Sequence, residues 1–280
     1  MTRTGRRQRS RLAQSLLAAP AVLFLAAVFV FPVLSLMALG AQAGFLPYRQ
    51  AFGSATPYPI VFWLTFRLAA ATVALCLALG YPVAFFLATT TRRRRIVCMV
   101  FVLLPFWTSL LVRTYAWIAL LGRNGLINRT LLDFGVIDAP LPLLYNFGGV
   151  LIGLVHVLLP YMVFPVYASL VRIDPDLALA AEGLGARGPA VFWRIHLPLS
   201  LNGVLAGTAL VFILSLGAFV TPALLGGGRI IMIANVMQQE VSQFLDWPLA
   251  SALSGVLLLA ALAIYGGFHR ALGSAREEAR

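Results

Sequence analysis

Lysine is absent from this sequence, and charge of either sign is scarce. The 21 residues counted as Lys or Arg are all arginine, and there are only nine acidic residues. Charged residues make up 11% of the 280. A typical soluble domain carries about 25% charged residues, so this composition excludes an ordinary soluble protein. Without lysine, the chain also lacks the phosphate loop whose Gly-Lys-Ser/Thr end places a lysine on a nucleotide. We therefore expect no nucleotide bound through that loop.

Groupings of side chains that would support catalysis or metal binding are missing as well. Cys76 and Cys98 both lie in apolar stretches, without the spacing of a metal site or of a disulfide framework. There is no set of Ser, His and Asp and no pair of carboxylates suited to acid and base chemistry. The chain is predicted not to be an enzyme and to hold no cofactor of its own.

Hydrophobic residues are abundant, at 61% of the chain, with a mean hydropathy of +0.92. A membrane-spanning helix needs about 20 apolar residues, and six charge-poor runs reach that length. Each must be helical, because the bilayer core offers no water to its backbone polar groups. We predict an all-α, polytopic membrane protein with one transmembrane domain over 1–280. Its six spans cover about 16–40, 62–90, 96–121, 147–171, 197–225 and 248–268.

The arginines give the chain an orientation. Fifteen of the 21 lie in four segments that a six-span topology places on one side of the membrane. These segments are the N-terminal head, the run Arg92 to Arg95, the loop 172–196 and the C-terminal tail. Arginine-rich short loops face the cytoplasm, so both termini are predicted to be cytoplasmic. Since the arginines gather at the ends of apolar runs, the net charge of +12 indicates a lipid bilayer as partner and no nucleic acid.

Two short patterns have a competing interpretation. Basic residues and an apolar run precede Ala41-Gln42-Ala43, as in a cleavable signal peptide. A signal core is only about 7 to 15 residues long, so the longer run here is predicted to stay as the first span. On the outer side, Asn128-Arg129-Thr130 matches a glycosylation triplet, a pattern that often occurs by chance.

The stretch LALAAEGLGARGPAVFWRIHLPLS at 177–200 is unusual because it mixes small, charged and helix-breaking residues. We predict a cytoplasmic helix, a bend and a second helix within the loop 172–196. Two interpretations are open: an ordinary polar linker, or an alanine-rich surface that another protein approaches closely. The residues that start or stop these helices are Asp174 with Pro175, Gly185, Pro189 and Pro198.

This stretch resembles the cytoplasmic EAA loop of ABC importer permeases, whose pattern is Glu-Ala-Ala, three residues, Gly and a spacer that ends in Leu-Pro. Ala180, Ala181 and Gly185 match the first part, and Leu197-Pro198 matches the end. Leu179 stands where the family has Glu, and Glu182 is a candidate replacement on the same helical face. The resemblance implies that the loop docks on an ATP-binding subunit. The implied coupling residues are Leu179, Ala180, Ala181, Glu182, Gly185, Ala186, Arg187 and Pro198.

Two further blocks resemble the spermidine/putrescine subgroup of these permeases: LPFWTSLLVRTYAWIALLGRNGLINRTLL at 104–132 and GAFVTPALLGGGRIIMIANVMQQEV at 217–241. The resemblance implies an inner-membrane permease subunit of an ATP-driven importer for spermidine, putrescine or a similar small cation, with another small organic solute as the alternative. The implied partners are two ATP-binding subunits, which would hold ATP and Mg, a second homologous permease, and a periplasmic or extracellular solute-binding protein.

Arg113 is a charge inside the third run, about 17 residues, or roughly 26 Å, from its cytoplasmic end. Two interpretations are open: a gate or ion pair, or a side chain that reaches back to the outer interface. Trp117 lies one turn further on, where its indole could stack on the guanidinium. The candidate residues of a translocation path or gate are Arg113, Tyr115, Trp117, Phe219, Glu240 and Asp246.

The alternative function is a secondary transporter or channel that works without ATP. Proton-coupled carriers usually place Asp, Glu or His in the core of the helix bundle. Only His156 meets that description in this sequence, and a lone His is more often a hydrogen-bonded packing residue. The shortage of such groups favours the ATP-driven importer, and Arg113 with the ordered loop disfavours a purely structural scaffold.

Overall fold

A computed structural model describes residues 19–42, 44, 46–53 and 56–277, and within these ranges the chain forms helices and no strand. The all-α prediction is confirmed. We number the helices α1 (19–42), α2 (Leu46–Phe52), α3 (Tyr58–Thr89), α4 (Arg92–Trp107), α5 (Leu110–Leu121), α6 (Leu126–Asp133), α7 (Phe147–Leu170), α8 (Pro175–Gly183), α9 (Gly188–Leu216), α10 (Val220–Gly226), α11 (233–244) and α12 (Trp247–Glu277). Three π-helical turns lie inside α1, α9 and α11, at Ala26–Val30, Phe192–His196 and Glu240–Phe244.

Five of the described helices are long and apolar enough to cross a membrane. A sixth crossing is available if α4 and the segment formed by α5 and α6 are counted as one span. The angle between α4 and that segment is 99°. These helices confirm a polytopic membrane protein. The N-terminal arginine head and the first residues of the first predicted span lie outside the described ranges. The five helical spans are Ala19–Gly40, Tyr58–Thr89, Phe147–Leu170, Gly188–Leu216 and Trp247–Gly267.

The third predicted span, 96–121, is not one continuous helix. The helix α4 ends at Trp107, Thr108 and Ser109 are extended, and α5 begins at Leu110. Pro105 weakens the last turn of α4 because it has no amide N–H, and the Thr108 hydroxyl donates to its carbonyl oxygen at 3.1 Å. The depth of Arg113 calculated along a straight helix is therefore wrong.

The fifth predicted span, 197–225, also differs from the structure. Its helix α9 begins earlier, at Gly188, and ends at Leu216, before a non-helical break at 217–219. Pro198 does not interrupt α9, because the π-helical turn just before it changes the backbone pairing, with the Leu197 N–H bonded to the Phe192 carbonyl. The breaks at 108–109 and 217–219 shape the site described below.

The core lies where α7 packs against α3 and α9. Met162 and Val163 of α7 are fully buried. Two glycines of α9 allow this helix to approach α7 closely. A Cβ atom at Gly203 would lie 2.5 Å from the Pro165 carbonyl oxygen, and one at Gly207 would lie 2.8 Å from the Met162 sulfur. Small residues at helix contacts commonly bring membrane helices together in this way.

Candidate functional site

The helix α8 is held at both ends by local hydrogen bonds. The Asp174 carboxylate accepts the N–H of Asp176 at 3.0 Å, and Pro175 occupies the first helical position. At the other end, Gly185 adopts a left-handed φ of +86°, and the N–H of Ala186 bonds to the Ala181 carbonyl at 2.9 Å. The predicted start and stop of this helix are confirmed. We call residues 174–191 the elbow.

The elbow is tied to the transmembrane helices through the start of α9. Val191 is buried, and the ring of Phe192 makes edge contacts with Tyr81 and Phe85 of α3, with centroids 5.7 and 5.4 Å apart. The Tyr81 and Ser200 hydroxyls are 2.9 Å apart and form a hydrogen bond between α3 and α9. These contacts connect the elbow to both α3 and α9.

A cleft of about 500 Å³ separates α8 from the ends of the transmembrane helices. Phe85 and His196 line its wall, and Ala178, Leu179 and Glu182 line it from α8. Leu179 and Glu182 therefore border the same space, as we expect if Glu182 replaces the glutamate that the family has at the position of Leu179. Among the described residues, the Glu182 carboxylate makes no hydrogen bond or ion pair.

The outward surface of the elbow is made of leucines more than of alanines. Leu179 is 63% exposed and Leu184 is 90% exposed, although both are strongly apolar. Ala178 faces the cleft, so only part of the expected alanine surface points outward. Exposed apolar groups on an ordered helix mark an interaction surface. Of the other predicted coupling residues, Ala180, Gly185, Arg187 and Pro198 are exposed, and Ala181 and Ala186 are half-buried.

A second site lies where the two broken helices meet. Leu110 at the start of α5, Tyr161 of α7 and Phe219 in the break before α10 border a cavity of about 330 Å³. Irregular backbone at membrane depth occurs where it is buried in protein or lines a cavity. Because both breaks adjoin this one cavity, it is the candidate translocation path. Tyr161 was missed by the sequence analysis, since a single tyrosine in an apolar run has no distinguishing pattern.

Arg113 lies one turn beyond Leu110 and folds back toward the helix break. Its terminal nitrogen donates to the Thr108 carbonyl oxygen at 3.2 Å, and its Nε is buried without a hydrogen-bond partner. No carboxylate pairs with it among the described residues. A partly buried guanidinium with an unsatisfied donor is unusual, and this keeps Arg113 a candidate for a functional position.

Trp117 bonds to His156 instead of stacking on Arg113. The indole N–H donates to His156 Nδ1 at 3.0 Å and joins α5 to α7. His156 is thus a hydrogen-bonded packing residue, and as an acceptor at Nδ1 it is neutral. The cation–π contact in the described part of the chain involves Arg67 instead, whose guanidinium carbon lies 5.2 Å from the centre of the Phe147 ring. Arg67 is a second charge within a predicted span, and the sequence analysis did not single it out.

The remaining path candidates do not meet at the cavity. Tyr115 is 58% exposed, and neither Glu240 nor Asp246 lines the cavity. Glu240 is buried and accepts a hydrogen bond from the Tyr58 hydroxyl at 3.1 Å. Asp246 accepts the N–H of Leu249 at 3.0 Å and so caps α12. Of the six candidates, only Phe219 lines this cavity; Arg113 lies one turn beyond the lining residue Leu110, Trp117 bonds to His156, and the two carboxylates have local bonding roles.

Asn128 also has a structural role. Its side chain is fully buried, donates to the carbonyls of Gly122 and Leu141 at 3.0 Å, and accepts the Leu141 N–H at 2.9 Å. These bonds fix the connection around α6. The glycosylation triplet is therefore a coincidence of sequence, because its amide is not accessible.

Comparison with known proteins identifies close relatives, although no family model matches the chain. The chain is 37% identical over 209 residues to the spermidine/putrescine transport system permease protein PotB of Haemophilus influenzae, covering 74% of this chain and 73% of that protein. It is 39% identical over 184 residues to PotB of Escherichia coli K12, covering 66% and 67%. It is also 31% identical over 238 residues to the inner membrane ABC transporter permease protein YdcU of E. coli, covering 81% and 75%.

Solved structures share the fold over nearly the whole chain. A chain of a bacterial ABC transporter that imports the acidic polysaccharide alginate superposes with a TM-score of 0.75 and 18% identity, covering 98% of this chain and 99% of that one. A chain of the alginate transporter in complex with its pentasaccharide-bound periplasmic protein gives 0.76. The relatives do not favour an ATP-independent carrier, and they place the protein among multi-pass inner-membrane transport proteins. The chain belongs to the family of ABC importer permeases, as its relatives over most of its length show.

Proposed function

We propose that this permease carries spermidine, putrescine or a similar small polyamine across the inner membrane, driven by ATP that separate subunits hydrolyse. The names of the relatives at 37 and 39% identity support the solute. The observation that carries the coupling to ATP is the elbow: it is capped at both ends and exposes Leu179 and Leu184 beside the unpaired Glu182.

The proposed assembly contains two ATP-binding subunits, a second permease and a solute-binding protein on the outer side. Both termini and the elbow lie on the cytoplasmic side, in agreement with the arginine distribution. ATP and Mg bind to the ATP-binding subunits, and this chain contributes neither a cofactor site nor a catalytic group. Among the described residues, no cluster of His, Cys, Asp or Glu is suited to a metal ion.

The helix α9 links the elbow mechanically to the cavity. It is continuous over 29 residues, or roughly 43 Å at 1.5 Å per residue, and it ends at the break that positions Phe219. When ATP closes its subunits around the elbows, α9 and α3 move as one body and alter the cavity wall. The transporter then alternates between outward-open and inward-open states, each favoured by a different set of bound partners.

The cavity wall suits a cation through aromatic faces. Tyr161 and Phe219 line it, and the Phe106 ring lies 5.0 Å from that of Tyr161. Aromatic rings attract cations through their electron-rich faces. Arg113, one turn beyond the lining residue Leu110, repels a polyamine, so its proposed role is that of a barrier that closes the path in the resting state.

Uptake of radiolabelled spermidine into vesicles that contain the complete transporter tests the proposal. We expect uptake that requires ATP and an active ATP-binding subunit and that persists when a protonophore removes the proton gradient. Uptake without the ATP-binding subunit, driven by a proton gradient, would contradict ATP coupling. ATP-dependent uptake of another solute but not of spermidine or putrescine would contradict the choice of solute alone.

A further inference from the structure

A groove of about 490 Å³ opens between the end of α3 and the start of α4. It is lined by Phe86 of α3 and by Arg93, Arg94, Val97 and Cys98 of α4. On α4, Arg93 lies one turn before Val97, and Arg94 lies one turn before Cys98. The groove is thus charged at the end that meets the aqueous interface and apolar along the part that continues into the membrane.

The charge at this groove is not neutralised within the described part of the chain. The side chains of Arg93 and Arg94 are exposed and have neither a hydrogen bond nor a carboxylate partner there. The neighbouring Arg95 is used differently, because its Nε donates to the Leu87 carbonyl at 2.9 Å and holds the end of α3. The first turn of α4 contains no acidic residue, so the helix dipole adds to the positive potential.

The apolar part of the groove is also uncovered. Phe86 is 46% exposed and Val97 is 55% exposed. Phe86 follows Phe85, which lines the elbow cleft, so the groove and the elbow lie at the same end of α3. A ligand that fits must combine an anionic head with a hydrocarbon chain, because neither a soluble anion nor an uncharged lipid satisfies both parts of the groove.

We propose that this groove binds an anionic phospholipid, with its phosphate between Arg93 and Arg94 and an acyl chain against Phe86 and Val97. Clusters of basic residues beside a membrane helix attract anionic lipids, and the charge complementarity here is local to the groove. This site is separate from the solute path and does not depend on the identity of the solute.

Protection of Cys98 from alkylation measures occupancy of the groove directly. The complete transporter is placed in phosphatidylcholine vesicles with increasing phosphatidylglycerol and treated with N-ethylmaleimide, and the peptide that contains Cys98 is quantified. Phosphatidylglycerol should slow alkylation in the wild type. Arg93→Gln should shift the midpoint of this titration by about fivefold, and the double change with Arg94→Gln by roughly 25-fold. Arg93→Lys with Arg94→Lys should retain protection.

The matched control is Arg172→Gln with Arg270→Gln, which removes the same charge from two exposed arginines that do not line the groove. This pair should keep the protection. Loss of protection equal to that of the groove pair would overturn the proposal in favour of diffuse surface charge. Equal protection by soluble glycerol phosphate would indicate a free-anion site, and a Cys98 that is unreactive in pure phosphatidylcholine would indicate a protein cover; either result overturns the lipid assignment.

Discussion

Gly185 donates its backbone N–H to the carbonyl oxygen of Glu182 at 2.9 Å, in the left-handed conformation that ends α8. This bond turns the chain toward α9 and leaves the Glu182 side chain beside the cleft. The turn therefore fixes the angle of the elbow. It also fixes the position of the Glu182 carboxylate in the last turn of α8.

Gly185→Ala should weaken coupling between ATP hydrolysis and transport. A residue with a Cβ atom pays about 1 to 2 kcal/mol in the left-handed region, so the elbow should lose its fixed angle. No neighbouring atom lies within 4 Å of the added methyl group, so the effect comes from the backbone alone. The ratio of spermidine uptake to ATP hydrolysis in vesicles measures it.

Gly183→Ala is the matched control for that change. Gly183 is the last helical residue of α8 and also has open space around it. Alanine is favoured over glycine in a helix by up to about 1 kcal/mol, so coupling should be retained. Equal loss of coupling in both variants would show that the left-handed turn is not what matters.

The elbow could be predicted from the sequence because its signals are local. Asp174, Pro175 and Gly185 each act on backbone groups within a few residues, so the pattern determines the start and end of α8. The outward face could not be predicted in this way. Which residues of α8 border the cleft depends on how α8 is placed relative to the end of α3, which is a matter of tertiary structure.

Gly203→Ala should destabilise the contact between α7 and α9. The new methyl group would collide with the Pro165 carbonyl and the Ser169 side chain, at 2.5 and 2.6 Å. Overpacking of this kind costs about 1 to 3 kcal/mol. A lower Tm of the purified protein in detergent should report it. Gly217→Ala, which meets no atom within 4 Å, should leave the Tm unchanged, and a fall in both variants would argue against close packing as the cause.

Trp117 and His156 should be energetically coupled. Trp117→Phe and His156→Leu each remove one partner of the 3.0 Å hydrogen bond. In a double-mutant cycle of unfolding free energies, the coupling should be about 0.6 kcal/mol, the usual size for hydrogen bonds between membrane helices. Additive effects of the two changes would mean that this bond does not hold α5 to α7.

Arg113→Gln should increase passive leak of spermidine in the absence of ATP. A fixed positive charge about 8 Å from a cation raises its energy by about 2 kcal/mol at an effective dielectric constant of 20. Removing the charge should therefore raise leak at least about tenfold, measured as spermidine efflux from loaded vesicles. Arg113→Lys keeps the charge and should keep the vesicles tight. Unchanged leak in Arg113→Gln would exclude the barrier role.

The cavity was largely beyond sequence prediction, for a physical reason. Hydropathy averages over the length of a run, and both 96–121 and 197–225 are charge-poor and apolar on average, so it does not register the breaks at 108–109 and 217–219. Phe219 and Tyr161 are brought together by those breaks and by the packing of α7. In contrast, Glu240 and Asp246 were selected for charge alone, and their hydrogen bonds show local roles.

Site-directed crosslinking tests the central claim, which is that the elbow contacts the ATP-binding subunit. Cysteine replaces Leu179 or Leu184 in a background with Cys76→Ala and Cys98→Ala, and Leu126→Cys on α6 serves as the control because Leu126 and Leu179 are both 63% exposed. We expect Leu179→Cys and Leu184→Cys to crosslink to the ATP-binding subunit and to block transport, and Leu126→Cys to do neither. Crosslinks to that subunit from Leu126→Cys and none from the elbow would contradict the account.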